Sequence, residues 1–139
     1  MIKVAINGFG RVGRAFYKLA YGNKEMEVVV VNDLGGFGNL EYLLKHDSVY
    51  GSWDGNFKAK FISEKDPAKL PWKELGIDIV VESSGAFESY KKASAHLQAG
   101  AKRVVITAPA KDEDSEDCKT VLMGVNEEKL STCLITSNA

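Results

Sequence analysis

The 139-residue sequence predicts an α/β protein, a doubly wound, mostly parallel sheet with helices on its faces. Three observations predict it. Apolar runs of strand length recur at 2–6, 28–31, 77–81 and 104–106. Stretches with helical spacing lie between them, as over 12–20 and 89–99. Glycines and small polar residues make the joints. Strands alternating with helices read as parallel units wound in one sheet, and 139 residues suffice for one domain over residues 1–139 with its own core.

The first unit is the most informative. Ile2, Val4 and Ile6 alternate with Lys3 and Ala5 as a short buried strand. Gly8, Gly10 and Gly13 follow as G-x-G-x-x-G. Val12, Ala15, Phe16, Leu19 and Ala20 then recur at helical spacing, so the glycines open a helix. The second run, 28–31, ends in Asn32 and Asp33, twenty residues beyond Gly13. Gly8 suits the tight turn, Gly10 lets a pyrophosphate approach the backbone, and Gly13 lets helix pack on strand. N–H groups near Arg11 and Val12 face the anion with the positive end of the helix dipole behind them. Asp33 can accept hydrogen bonds from ribose hydroxyls. A kinase glycine loop has Val two residues past its last glycine; here Ala15 continues a helix. The order of parts is that of a Rossmann-type dinucleotide-binding unit. NAD is favoured over NADP, because Asp33 repels a 2′-phosphate and residues 34–38 contain no Arg or Lys.

The chain continues in order. Residues 34–38 form a glycine-rich loop, and Asn39 caps a helix through Lys45 with Leu40, Leu43 and Leu44 on one face. Residues 53–56 read as a turn, 57–62 as a strand, and 67–75 as a connector holding Trp72 and ended by Gly76. The strand at 77–81 ends in Glu82, Ser83, Ser84 and Gly85. The helix at 89–99 turns Tyr90, Ala93 and Leu97 inward, and Gly100 stops it. The strand at 104–106 ends in Thr107, residues 110–119 are a charged solvated loop, and strands at 120–125 and 134–136 flank a turn at 127–130. Ligands of such sheets bind at the carboxyl ends of strands. Asn7 and Gly8, Asn32 and Asp33, Ser83 to Gly85, Thr107 and Ser137 all fall there. Turns are rich in these residues anyway, yet the spacing favours binding at Gly85 and Thr107.

Bulk properties narrow the partners. Hydrophobic content of 45%, charged content of 27% and a net charge of −1 give no electrostatic reason to expect nucleic acid or an acidic membrane. No apolar run approaches a membrane span of ~20 residues. The N-terminus lacks a signal peptide's pattern, so the expected location is cytoplasmic. Cys118 and Cys133 form no Cys-x-x-Cys pair and lie far from His46 and His96, which argues against zinc. Cys118 sits in an acidic loop that raises its pKa, and Cys133 reads as a buried small side chain.

The assembled motifs resemble one family, type I glyceraldehyde-3-phosphate dehydrogenase, in its N-terminal NAD-binding domain. The carriers are residues 6–14 (Ile-Asn-Gly-Phe-Gly-Arg-Val-Gly-Arg), 31–33, 42–49, 78–87, 92–101, 106–112, 123–126 and 137–139, in family order from end to end. The resemblance implies that the backbone at Phe9, Gly10, Arg11 and Val12 holds the pyrophosphate, beside Asn7 and Gly8 at the strand end. Asp33 would hold the adenosine ribose. Lys65, where the family more often has Arg, would border the adenine. Ser84, Gly85 and Thr107 would line the nicotinamide half. Homotetramers are also implied.

Three departures stand out. The family's catalytic Cys follows Ser-Asn-Ala-Ser directly, two residues beyond Ala139, and its His base and substrate-phosphate sites belong to a second domain. Between Phe57 and Asp66 the chain is shorter by roughly ten residues where the family has a β-hairpin. The loop 114–119 is slightly longer. The implied chemistry is thiolate attack on an aldehyde, hydride transfer to NAD and cleavage of the acyl-enzyme by phosphate. The 139 residues alone are expected to have no dehydrogenase activity. Two other readings stay open, a non-catalytic binding protein derived from the family and the cofactor domain of a related erythrose-4-phosphate dehydrogenase.

Overall fold

A computed structural model describes residues 1–138. The elements run β1 (Ile2–Asn7), α1 (Arg11–Ala20), β2 (Met26–Asn32), α2 (Phe37–Lys45), β3 (His46–Asp47), β4 (Gly51–Ser52) and β5 (Lys60–Ile62). After a 3-10 turn (Pro67–Lys69) come α3 (Trp72–Leu75), β6 (Ile79–Glu82), α4 (Tyr90–Gln98), β7 (Arg103–Ile106) and β8 (Cys118–Thr120). A second 3-10 segment (Glu127–Thr132) leads into β9 (Ile135–Ser137).

Among the described residues, seven strands form one parallel sheet in the order β5-β2-β1-β6-β7-β9-β8. From β1 the chain winds outward through β2 to β5; from β6 it winds the other way. Strand order therefore reverses between β1 and β6. Apolar layers cover both faces, which is why the strands read as near-continuous apolar runs. In β1, Val4 and Ile6 join Phe9, Tyr17 and Leu44 on one face, while Ala5 joins Trp72, Tyr90 and Val104 on the other.

Several elements differ from expectation. In α1 the buried residues are Gly13, Tyr17 and Ala20, whereas Val12 and Leu19 are exposed. Residues 13, 17 and 20 share one stripe at 100° per residue, and Tyr17 anchors it. Its hydroxyl donates to the Asn56 carbonyl at 3.3 Å and accepts the Lys58 N–H at 2.8 Å. Helix α2 starts at Phe37 behind Gly36, with no side-chain cap, so Asn39 lies inside the helix. A short antiparallel hairpin, β3 with β4, was not foreseen; its two-residue strands are too brief to show a period. The predicted strand at 120–125 is displaced to Cys118–Thr120, since Asn126 closes a turn by accepting the Leu122 N–H at 2.7 Å. In α4 the inward face is Tyr90, Ala93 and His96, with Leu97 half-buried. Ser89 caps α4 by accepting the Lys92 N–H at 3.1 Å.

The shortened segment closes the sheet edge with aromatic rings. Only Lys60–Ile62 pairs with β2, but Phe57 stacks on Tyr17 at 5.3 Å. It also meets Phe9 at 5.7 Å and Phe37 at 5.2 Å edge to face. Each such pair adds about 0.5–1.5 kcal/mol beyond its buried area. Ring packing holds 53–61 against α1 in place of a longer ladder.

Candidate functional site

The site forms where strand order reverses. Gly8 follows β1 with φ +98°, and a Cβ there would lie 2.4 Å from Ser84 Cα. A Cβ on Gly13 would lie 2.2 Å from the Gly8 carbonyl oxygen. These two glycines are therefore required by close approach, Gly8 to the end of β6 and Gly13 to the turn itself. Ser83 Oγ donates to the Gly8 carbonyl at 2.6 Å and locks that contact. Gly10 is different. A Cβ there would meet nothing within 4 Å, because the residue faces open space. Gly10 is also the N-cap of α1, and no side chain caps the helix. Its first-turn N–H groups are a ready anion site with the helix dipole behind them. Arg14 Nη1 donates to the Phe9 carbonyl at 2.9 Å and steadies the turn.

Asp33 follows β2 on the other side. One carboxylate oxygen accepts the Phe9 N–H at 2.6 Å and the other the Gly35 N–H at 2.7 Å. The carboxylate is fixed across the glycine turn.

A cleft of about 480 Å³ opens between these parts, within the usual range for small-molecule sites. It brings together Asn7, Gly8, Gly10, Asp33, Lys65 and Ser84. Sequence reasoning did not assign Leu34, Glu64 and Phe87 to this site, yet they also line it. Glu64 arrives because its backbone brackets the Asn32 amide, its N–H donating at 2.8 Å and its carbonyl accepting at 3.0 Å. Other expected residues lie elsewhere. The Phe9 ring is buried in the core and its N–H is engaged by Asp33, so Phe9 offers no N–H to an anion. Arg11 and Val12, expected to act through their backbone N–H groups, line a separate depression of about 510 Å³, beside Lys18 and Tyr50. Gly85 lies on the loop after β6, and Thr107 follows β7 with its hydroxyl donating to the Glu82 carbonyl at 3.1 Å. Neither belongs to the lining of the cleft.

Beneath the cleft is a buried polar row that sequence reasoning missed. Glu82 is 2% exposed and its carboxylate accepts four hydrogen bonds. They come from Asn7 Nδ2 at 2.6 Å, His96 Nε2 at 2.8 Å, and the Ser84 N–H and Oγ at 2.8 and 2.6 Å. His96 Nδ1 accepts the Trp72 indole N–H at 3.0 Å, and Asn7 Oδ1 accepts from Asn32 Nδ2 at 2.8 Å. The available signal was a carboxylate ending the apolar run Ile79–Glu82. Among the described residues no cluster of metal-ligand type occurs, and both cysteines are free. Burial, with Asp117 and Asp112 nearby, pushes the Cys118 thiol up.

The parallel sheet, the glycine turn at the reversal of strand order and the acid beyond β2 define a dinucleotide-binding domain. The open space at Gly10, the uncapped helix and the fixed Asp33 carboxylate fit a dinucleotide's pyrophosphate and ribose. Residues 2–90 match the family described as glyceraldehyde 3-phosphate dehydrogenase, NAD binding domain, and the chain belongs to that family. NAD is accordingly its cofactor. The chain is 48% identical to glyceraldehyde-3-phosphate dehydrogenase of Thermotoga maritima, over 94% of this chain and 42% of the relative. It is 47% identical to the enzyme of that name from Geobacillus stearothermophilus, over 92% and 41% of the two chains. It is 48% identical to the chloroplastic B form of Pisum sativum, over 91% and 31%. The chain thus spans between 31% and 42% of these relatives' length.

Proposed function

We propose that the chain serves as the cofactor-binding part of a phosphorylating aldehyde dehydrogenase acting on glyceraldehyde 3-phosphate. The observation that carries this reading is Gly10, open to the cleft at the uncapped start of α1 and facing the same space as Asp33. NAD, when bound, supplies hydride acceptance. The residues here bind and orient it. The N–H groups at Arg11 and Val12 take the pyrophosphate, Asp33 takes the adenosine ribose, and Lys65 borders the adenine. Ser84, Gly85 and Thr107 flank the nicotinamide half. Residues 1–139 act as one NAD-binding unit, in a protein that assembles as a homotetramer in the cytoplasm. Among the described residues no helix is long and apolar enough to cross a membrane.

Calorimetric titration of the purified chain with NAD, and with NADP as control, tests the reading. Saturable binding of NAD and not of NADP is expected. Absence of NAD binding in the millimolar range would overturn the cleft assignment.

A further inference from the structure

We propose that Glu82 is a positioning residue of the cleft: its buried carboxylate fixes the Ser84 hydroxyl as a hydrogen-bond acceptor toward bound NAD. The inference rests on the reading of the cleft as the NAD site.

The hydrogen bonds run outward from the core. An indole N–H can only donate, so Trp72 obliges His96 Nδ1 to accept. The ring proton then sits on Nε2, pointing at Glu82 Oε1. On the other side Asn32 donates to Asn7 Oδ1, so the Asn7 amide nitrogen also points at Oε1. Both donors on Oε1 are thus oriented by partners behind them. Oε2 faces Ser84 and takes both its N–H and its O–H. The Ser84 proton is committed inward. Its oxygen accepts the Ala86 N–H at 3.2 Å and keeps a lone pair, and Ser84 lines the cleft.

A hydroxyl held this way can accept from a ligand and cannot donate to one. Phosphate oxygens carry no proton at neutral pH, so Ser84 is not matched to the pyrophosphate. It is matched to a ribose hydroxyl, the adenine amino group or a carboxamide N–H, all of which NAD carries. In Glu82→Gln the amide keeps the side-chain volume and the two Oε1 bonds. It turns an NH₂ toward Ser84, so the hydroxyl reverses and presents its proton to the cleft while the Ser84 N–H loses its acceptor.

The test is calorimetry with NAD and with ADP-ribose on the unmodified chain, Glu82→Gln, Ser84→Ala, Ser84→Thr and the Glu82→Gln/Ser84→Ala double variant. Glu82→Gln and Ser84→Ala should each weaken NAD binding about tenfold, and the double variant should be no weaker than Ser84→Ala. Ser84→Thr, which keeps the hydroxyl, should retain affinity. If ADP-ribose loses as much as NAD, the donor is a ribose hydroxyl or the adenine amino group; if it loses nothing, the donor is the carboxamide. Equal losses from Glu82→Gln with and without the Ser84 hydroxyl would overturn the proposal. Wild-type affinity of Ser84→Ala would overturn it whatever the Glu82 variants do. Should Glu82→Gln fail to fold by circular dichroism, Glu82→Asp, whose shorter carboxylate withdraws from Ser84, takes its place. Failure of the unmodified chain to bind NAD would sink the cleft assignment and this proposal together. Binding with an inert Ser84 would sink this proposal alone.

Discussion

The Phe9 N–H donates to the Asp33 carboxylate at 2.6 Å, so the glycine turn and the end of β2 are tied together at the acid itself. A second N–H, from Gly35, holds the other oxygen at 2.7 Å. Each carboxylate oxygen has a further lone pair, so the group can still receive ribose hydroxyls. Asp33→Ala should weaken NAD binding by about 1–3 kcal/mol and narrow the preference over NADP. Paired calorimetric titrations check this, and unchanged affinity for both cofactors would remove Asp33 from the site.

The glycines separate a structural role from a binding one. Gly13→Ala sets a Cβ against the Gly8 carbonyl at 2.2 Å and should cost about 1–3 kcal/mol in urea denaturation. Gly10→Ala meets nothing within 4 Å and should change stability by about 1 kcal/mol or less. Its methyl occupies the space for the pyrophosphate, so NAD affinity should drop at least about tenfold. A Gly10→Ala chain that binds NAD normally would place the pyrophosphate elsewhere.

Trp72→Phe leaves His96 Nδ1 buried without its donor and opens a small void in the apolar cluster that also holds Ile77, Tyr90 and Ala93. The expected loss is about 2–4 kcal/mol, from the unmet acceptor and the void together. Equilibrium unfolding in urea measures it. A loss below half a kcal/mol would mean that His96 re-pairs with its Nδ1 protonated and that the row is softer than its distances indicate.

Stability should bend at both ends of the pH scale. Burial pushes the Tyr90 phenol up to about 12, with Asp114 adding to the rise and Thr120 opposing it. Folding favours the neutral phenol, so its contribution is present below about 10, the unfolded value, and is lost as pH rises toward 12. Tyr90→Phe should flatten that alkaline limb of a melting-temperature profile. On the acid side, the Lys3 N–H and then the Lys102 ammonium hold Asp78 below the ordinary carboxylate range. Its contribution is present above about 4 and is lost as pH falls through the lowered value. Asp78→Asn should reduce the acid slope. Unchanged slopes would contradict both assignments.

Much of this was legible because β1, α1 and β2 are specified locally. A period of two, three glycines, a period of 3.6 and an acid lie within one stretch of chain. What stayed hidden depends on contacts distant in sequence. The inward face of α1 is set by Tyr17, whose partners Phe57 and Lys58 lie some forty residues on. Asn39 looked like a cap because Asn favours that position, yet Gly36 can start a helix with no side-chain bond. Glu64 and Phe87 enter the cleft only through strand pairing and loop placement, and no motif marks them. Glu82 carried a signal, a carboxylate closing an apolar strand, which reads as a strand end until His96 and Asn7 are seen behind it.

The polar row also bears on how the sheet finds its alignment. β2 contains four successive valines, and β6 and β7 are mostly Val and Ile, so apolar side chains alone fit several offsets equally well. Asn7 stands directly across from Asn32 on one side and Glu82 on the other. Sliding β6 by two residues would set Glu82 opposite Ala5, stripping its carboxylate of Asn7 inside an apolar layer. A buried carboxylate that loses this donor with nothing to replace it costs about 1–3 kcal/mol, enough to depopulate the slipped pairing. The neighbouring strands β2, β1 and β6 are thus indexed by their polar ends, and a misaligned pairing among them is penalised before the cofactor is present.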